Sequence, residues 1–135
     1  MGNYSPNDLT LSAKSRGNVG EDLAAGFLQG KGYEIMQRNF FVRGGEIDII
    51  AKKNGILVFV EVKTRWTQKF GAAADSLTSA KKRKLRRAIA IYLGTQQATC
   101  GIRADLISIQ FTSARNIITG ALEAQIKHHQ NIFED

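Results

Sequence analysis

Apolar and polar residues follow two different periods along this chain, and these periods predict its helices and strands. From Gly17 to about Gly32 apolar residues recur every three to four positions, which is typical of a helix with one buried face. Thr78 or Ser76 is placed to cap a second helix, which runs to about Leu93 with a similar apolar stripe. Other runs are rich in β-branched and aromatic residues and predict strands. These runs are Tyr33–Val42, Glu46–Lys52, Ile56–Arg65 and Ile102–Phe111.

The order of these elements is α-β-β-β-α-β, without an internal repeat. Residues 1–15 are polar, contain the only proline and are predicted to form a flexible N-terminal arm. Residues 16–135 are predicted to form a single domain, and a further strand or short helix is expected near Ile126–Phe133. Because runs of strands are flanked by single helices, we expect an α/β fold with a mixed sheet between helices.

An Asn-Gly pair between two apolar runs predicts a tight hairpin between the second and third strands. Asn54-Gly55 is the strongest short-range signal for a two-residue type I′ turn. In the register that this turn sets, Asp48 lies opposite Glu61 and Glu46 lies opposite Lys63. Because side chains alternate along a strand, these four project from one face of the sheet. The residues expected on the other face are Ile47, Ile49, Val60 and Val62.

The facing carboxylates of Asp48 and Glu61 are the strongest candidates for chemistry in the chain. Directly opposed like charges destabilise a strand pair, so they need a cation, a shared proton or hydrogen bonds. Clustered oxygen ligands suit Mg²⁺ or Mn²⁺, and Lys63 would add an ammonium group that orients water. A structural alternative stays open, in which Glu46 and Lys63 form an ordinary ion pair, Asp48 caps a turn and Glu61 lies near solvent. A bulge in either strand would also separate the two acids.

The charge of the chain favours a polyanionic partner. Its 135 residues include 19 Lys and Arg against 12 Asp and Glu, a net charge of +7. Nucleic acid fits this excess, although ribosomal and membrane-surface proteins share it. Lys81 lies one turn before the inward-facing Leu85, so it either reaches the carboxylates or packs at the edge of the core. The candidate phosphate contacts are Arg65, Lys81, Lys82, Arg83, Arg86 and Arg87.

Trp66 and Phe70 follow the third strand and are candidates either for stacking on an unpaired base or for loop packing. No run approaches the roughly 18 apolar residues of a membrane span, and no secretory signal is visible. One cysteine, Cys100, excludes an internal disulfide framework and fits a reducing compartment. We therefore expect a cytoplasmic protein without membrane contact.

The motif formed by Asp48 and Glu61-Val62-Lys63 resembles the D…(D/E)-x-K signature of the PD-(D/E)XK nuclease superfamily, with Ile47 in place of the proline. Over roughly residues 16–133, further motifs resemble the YraN family of small bacterial proteins. They are Gly20-Glu21-x-x-Ala24, Arg38-Asn39-Phe40, Gly44–Ile50, Val58–Arg65, Lys81, Arg103-x-Asp105-Leu106-Ile107 and Ile126-x-His128-x-x-Asn131-x-Phe133.

This resemblance implies a restriction-endonuclease-like fold, similar to that of archaeal Holliday-junction resolvases, which bind two divalent ions and work as dimers. It places Glu21, Asp48, Glu61 and Lys63 in the catalytic positions, with the three acids as metal ligands. The implied activity is Mg²⁺- or Mn²⁺-dependent endonuclease action on DNA, with branched DNA as the substrate by analogy. Action on RNA, and a non-catalytic module of the same fold that only binds nucleic acid, are the alternatives.

Overall fold

A mixed sheet of five strands with one helix on each face forms the fold. The computed structural model describes residues 13–65, 77–96, 101–115 and 122–133. The predicted α-β-β-β-α-β order is confirmed, and a fifth strand follows it. The elements are α1 (Ala13–Gly30), β1 (Glu34–Val42), β2 (Gly45–Lys53), β3 (Ile56–Arg65), α2 (Ser79–Leu93), β4 (Gly101–Arg115) and β5 (Leu122–His129).

The strands lie in the sheet in their chain order, β1-β2-β3-β4-β5. Pairing is antiparallel except between β3 and β4, which are parallel along their whole contact from Ile56–Gly101 to Arg65–Gln110. A parallel pair needs a crossover connection, and α2 is the element that lies between these two strands in the chain. The mixed sheet predicted from the sequence is therefore confirmed.

Each face of the sheet carries an apolar layer that one helix covers. α1 covers the first face, where Leu28 is fully buried in a cluster with Val60. α2 covers the second face, where Leu85 and Tyr92 pack in a cluster with the fully buried Phe59. Burying a side chain of this size stabilises the fold by roughly 1.5–3 kcal/mol, so the two layers hold both helices against the sheet.

The ends of the elements confirm most of the local signals. Thr78 caps α2, because its side chain accepts a hydrogen bond from the Lys81 N–H, and the helix ends at Leu93 as predicted. The segment near the C-terminus is a strand rather than a helix. α1 begins at Ala13, four residues before the start at Gly17 that the apolar pattern predicts. Ala, Lys and Arg in this region favour a helix even without an apolar stripe. Among the described residues, none of the helices has the length and apolar character needed to cross a membrane.

The β2–β3 hairpin has the predicted turn and register. Asn54 and Gly55 both have positive φ values, 52° and 80°, as a type I′ turn requires. The ladder runs from Lys53–Ile56 to Ile49–Val60 and ends there. The predicted backbone pairs Asp48–Glu61 and Glu46–Lys63 therefore fall beyond the end of the ladder.

The predicted face of Ile47 was wrong. Ile47 packs with Ile50 in the layer under α2, whereas Ile49 packs in the layer under α1. In a regular strand Ile47 and Ile49 would share a face. The alternation of faces therefore breaks between Ile47 and Ile49. Opposite this point on β1, Asn39 lies between the partners of these two residues and has a φ of 56°.

Candidate functional site at the fork between β2 and β3

Beyond the Ile49–Val60 pair, β2 and β3 part and leave a gap in the sheet, which we call the fork. β2 continues alongside β1 as far as Gly45, while β3 continues alongside β4. At this point the backbone N–H of Val62 donates a hydrogen bond of 2.8 Å to Oδ2 of Asp48. A side-chain carboxylate thus takes a donor that a regular ladder would give to a backbone carbonyl.

Glu61 lies at the fork on β3 and is only 8% exposed. The pKa of Glu61 is raised to about 8, mainly by burial and then by the charge of Asp48 and a hydrogen bond with the Asp48 side chain. Lys81 of α2 opposes this effect, with its Nζ 3.7 Å from Oε1 of Glu61. The structure therefore decides between the two positions predicted for Lys81, because it reaches the carboxylates.

Glu21 of α1 approaches Asp48 from the opposite layer. Burial raises the pKa of Glu21 to about 7, and the charge of Asp48 and a hydrogen bond with its side chain act in the same direction. Arg38 of β1 works against this rise, with Nη2 4.0 Å from Oε2 of Glu21 and 2.7 Å from Oδ1 of Asp22. Asp48 therefore contacts two carboxyl groups: that of Glu21 on α1, and that of Glu61 on β3, which Lys81 of α2 also approaches.

Two glycines allow the helices to approach the fork closely. A Cβ atom on Gly20 of α1 would lie 1.9 Å from Oγ1 of Thr64 on β3. A Cβ atom on Gly45, at the start of β2, would lie 2.4 Å from the backbone carbonyl oxygen of Lys84 on α2. Both distances exclude a side chain. Because Glu21 directly follows the first glycine, the close contact between α1 and β3 also places this carboxylate at the fork.

The three acids form two contacting pairs, Glu21–Asp48 and Asp48–Glu61, rather than one convergent set. Among the residues that the structure describes, no group of three or more His, Cys, Asp or Glu side chains is arranged as a metal site. Mg²⁺ is commonly held by one or two carboxylates together with water and substrate phosphates. The all-oxygen pair of Asp48 and Glu61 fits such an ion, with Glu21 near enough to act through water.

The remaining predicted catalytic residue and its neighbour lie further along β3. Lys63 is two residues beyond Glu61, half-buried, and in register with Ser108 on β4. Arg65 ends the strand in register with Gln110. Trp66 and Phe70, the candidates for base stacking or loop packing, lie outside the described residues, as does Cys100.

The basic residues of α2 do not all face the same surroundings. Arg83 is exposed and Lys82 is half-buried. The exposed Arg87 donates a hydrogen bond of 2.6 Å from Nε to the carbonyl oxygen of Arg43, so it ties α2 to the β1–β2 turn. The Arg86 guanidinium lies 4.3 Å from the centre of the Phe133 ring.

The sequence did not predict the contact of Arg38 with Glu21, although Arg38 belongs to one of the motifs that resemble the YraN family. Its only local signal is a cation on a strand next to the predicted hairpin, and its position depends on how α1 packs on β1. A separate ion pair joins Arg103 and Asp105 on β4. Arg103 holds the fully buried Asp105 with contacts of 2.9 Å, and His128 Nε2 lies 2.7 Å from the same carboxylate. Although burial opposes ionisation, hydrogen bonds with His128 and Arg103 keep the pKa of Asp105 below its usual range.

Comparison with known proteins identifies relatives that share most of the chain. Residues 20–109 match the family described as "Uncharacterised protein family UPF0102". A UPF0102 protein from Geobacter metallireducens is 40% identical over 127 residues, which cover 93% of this chain and 98% of that protein. A second, from Caldicellulosiruptor saccharolyticus, is 38% identical over 109 residues, which cover 80% and 92%. A third, from Chlorobium chlorochromatii, is 44% identical over 93 residues, which cover 69% and 72%.

Proposed function

This chain belongs to the UPF0102 family, the YraN-like family that its motifs resemble, and we propose that it is a divalent-metal-dependent endonuclease that hydrolyses phosphodiester bonds in DNA. One observation carries the proposal: carboxyl groups from α1, β2 and β3, of which Glu61 is buried and Glu21 and Asp48 are half-buried, meet at the fork where β2 and β3 separate. A purely structural role gives no reason to gather like charges at an opening in the sheet.

The carboxyl groups at the fork supply oxygen ligands, which suit Mg²⁺ or Mn²⁺. Asp48 and Glu61 would hold the ion, and Glu21 would assist directly or through water. When bound, the ion would lower the pKa of a water molecule and neutralise negative charge on the scissile phosphate. The hydrogen bond from the Val62 N–H fixes the orientation of the Asp48 carboxylate, so this ligand needs little rearrangement.

Two lysines complete the proposed mechanism. Lys63, two residues beyond Glu61 on the same strand, would position the attacking water for in-line displacement at phosphorus. Lys81, 3.7 Å from Glu61, offsets part of the carboxylate charge and would steady the charge that develops on the phosphate oxygens. Both cations lie beside the acids, where the reacting phosphate would bind.

The basic residues of α2 and of the end of β3 support a nucleic-acid substrate. The phosphate contacts that we propose neutralise the backbone without reading sequence. We propose DNA as the substrate over RNA, and branched over linear DNA, on the resemblance to resolvases alone. The cytoplasm is the proposed location, and a homodimer is the proposed assembly on the same analogy. The proposed contacts are Arg65, Lys81, Lys82, Arg83, Arg86 and Arg87.

A second candidate function is a module that binds nucleic acid without cutting it, and the basic residues of α2 favour it equally. This candidate does not explain the acids at the fork, because carboxylates there repel phosphate unless a cation intervenes. Asp48→Asn separates the two candidates. The binding module should bind DNA as well or better after the substitution, whereas the nuclease should keep its binding and lose its activity.

The test is cleavage of end-labelled linear, flap and four-way DNA with Mn²⁺ or Mg²⁺. We expect metal-dependent cuts by the wild-type protein and a loss of at least about 100-fold in Asp48→Asn. Glu123→Gln on β5 is the matched control, since it also removes one negative charge but from an exposed side chain. Binding of all three proteins to the same substrates, with no cleavage of any, would contradict the nuclease and favour the module.

A further inference from the structure

A pocket of about 300 Å³ lies on the α2 side of the sheet, at a distance from the fork. It is enclosed by α2, by β4 and by the segment 131–133 that follows β5. Its walls are mostly apolar and include the buried Phe59 and Ile89, and Ile102 is 51% exposed beside it. Arg86 and Asn131 supply polar groups to the same pocket.

The wall formed by segment 131–133 is fixed to the core by hydrogen bonds from two of its backbone N–H groups. The N–H of Asn131 donates to Oδ1 of the fully buried Asp105 at 3.2 Å. The N–H of Ile132 donates to the carbonyl oxygen of Ala104 at 2.9 Å. Because Asp105 is itself held by Arg103, this wall is preorganised and a ligand would not need to order it.

The edge of the pocket has the groups on which unpaired bases stack. The Arg86 guanidinium lies over the Phe133 ring at 4.3 Å, and both residues line the pocket. Aromatic rings and guanidinium planes are the usual stacking partners of single-stranded bases in nucleic-acid-binding proteins. An apolar cavity beside such a pair suits the flat ring of an unstacked nucleobase.

The surrounding charge favours a ligand that carries phosphate. Lys82 and Arg83 lie three to four positions before Arg86 and therefore on the same side of α2. At 1.5 Å per residue, the pocket residue Ile89 is about 12 Å along the helix axis from Lys81 at the fork. A strand that crosses the fork and follows these cations would reach the pocket within a few nucleotides. A neutral or acidic partner would gain nothing from this row of cations.

We propose that this pocket binds an unpaired nucleobase of the strand that crosses α2. The inference rests on the proposed function and deepens it, because it names the substrate class as nucleic acid with unpaired nucleotides close to the fork. The side chains of Lys82, Arg83 and Arg86 bind phosphate groups of the strand. The base then enters the pocket between α2 and Phe133.

The test fills the pocket without removing charge. Ala90 is exposed on α2 and lines the pocket, so Ala90→Phe occupies the space that the base would take. The probe is a single-stranded oligonucleotide containing 2-aminopurine, with the same sequence as a continuous duplex for comparison. Both are measured with Ca²⁺ in place of Mg²⁺, so that a cation is available to the fork, and a gel checks that neither probe is cleaved. We expect Ala90→Phe to weaken single-strand binding about tenfold and to abolish the change in 2-aminopurine emission, with duplex affinity unchanged.

Two further variants keep this test decisive. Ala124→Phe makes the same change at an exposed position of β5 that does not line the pocket, and it should behave as the wild type does. Phe133→Ala opens the edge of the pocket and should also weaken single-strand binding, should Ala90→Phe fail to fold.

Three results would overturn the inference. Equal single-strand binding by Ala90→Phe and the wild type, with DNA cleavage intact, would overturn the base pocket and leave the proposed function standing. A change of oligomeric state in Ala90→Phe, seen by sedimentation, would identify the pocket as a contact between copies of the chain instead. Failure of the wild-type protein to bind or cut any nucleic acid would overturn the proposed function together with the pocket.

Discussion

At the scale of single residues, Asp48 is the central group of the fork. Its carboxylate accepts the Val62 N–H, and carboxyl groups of Glu21 and Glu61 lie against it from the two layers. Three negative charges at this separation cannot coexist at low dielectric without protons or a cation. The nearness of Asp48 to Glu61 could be predicted from the sequence, because Asn54-Gly55 sets a local register. The contacts of Lys81 and Arg38 with the acids could not, because they depend on how α2 and α1 pack.

The raised pKa values of Glu21 and Glu61 predict that stability falls as the pH rises. Their folded-state pKa values, about 7 and about 8, exceed the ordinary value of 4.5, so the folded protein holds protons that the unfolded chain releases. Between about pH 4.5 and 8 the free energy of unfolding should therefore decrease. Thermal unfolding without divalent metal, measured across this range, tests the sign.

Glu61→Gln should flatten this pH dependence, because the amide keeps the shape of the protonated acid and does not titrate. Glu123→Gln, at an exposed position of β5, should leave the slope as it is in the wild type. If the free energy of unfolding of the wild-type protein rises between about pH 4.5 and 8, protonation of Glu21 and Glu61 does not relieve the charge repulsion at the fork.

At the scale of elements, the sequence predicts what local signals determine. The type I′ turn, the Thr78 cap and the bounds of β3 are set by neighbouring residues, and the structure confirms them. The fork is not local. It arises because β2 stays with β1 while β3 stays with β4, at the level where Asn39 of β1 has a positive φ. Simple alternation could not reveal that Ile47 changes layer.

Gly20→Ala should destabilise the fold and disturb the fork. The new Cβ would lie 1.9 Å from Oγ1 of Thr64, so α1 must move away from β3, at a cost of about 1–3 kcal/mol. Combining it with Thr64→Ala removes this oxygen and should recover part of the loss, since the threonine Cβ remains at 3.0 Å. Chemical denaturation of the single and double variants measures the coupling.

Gly30→Ala is the control for helix glycines in α1. Nothing lies within 4 Å of a Cβ at Gly30, so alanine there should be neutral or slightly stabilising. Equal stability of Gly20→Ala and the wild type would contradict the close packing of α1 against β3 that places Glu21.

At the scale of the whole molecule, one face combines acids and cations in an order that suits a polyanion. The fork holds three carboxyl groups, of which Glu61 is buried, and Lys81 lies beside them. Lys82, Arg83 and Arg86 follow on the side of α2 that leads to the pocket at Phe133. The net charge of +7 favours approach of a phosphate backbone, whereas the acids at the fork need a cation before a phosphate can bind there. The overall charge was evident from composition, but the order of these groups on one face required the packing of α2.

The most direct test of the account is Mn²⁺ binding, because it requires no knowledge of the substrate. Calorimetric titration near neutral pH would compare the wild type with Asp48→Asn and with Glu123→Gln, which each remove one negative charge. We predict that Mn²⁺ binds the wild type and Glu123→Gln alike, and that Asp48→Asn weakens the affinity at least tenfold, about 1.4 kcal/mol. Equal Mn²⁺ affinity in Asp48→Asn and the wild type would contradict a metal site at the fork.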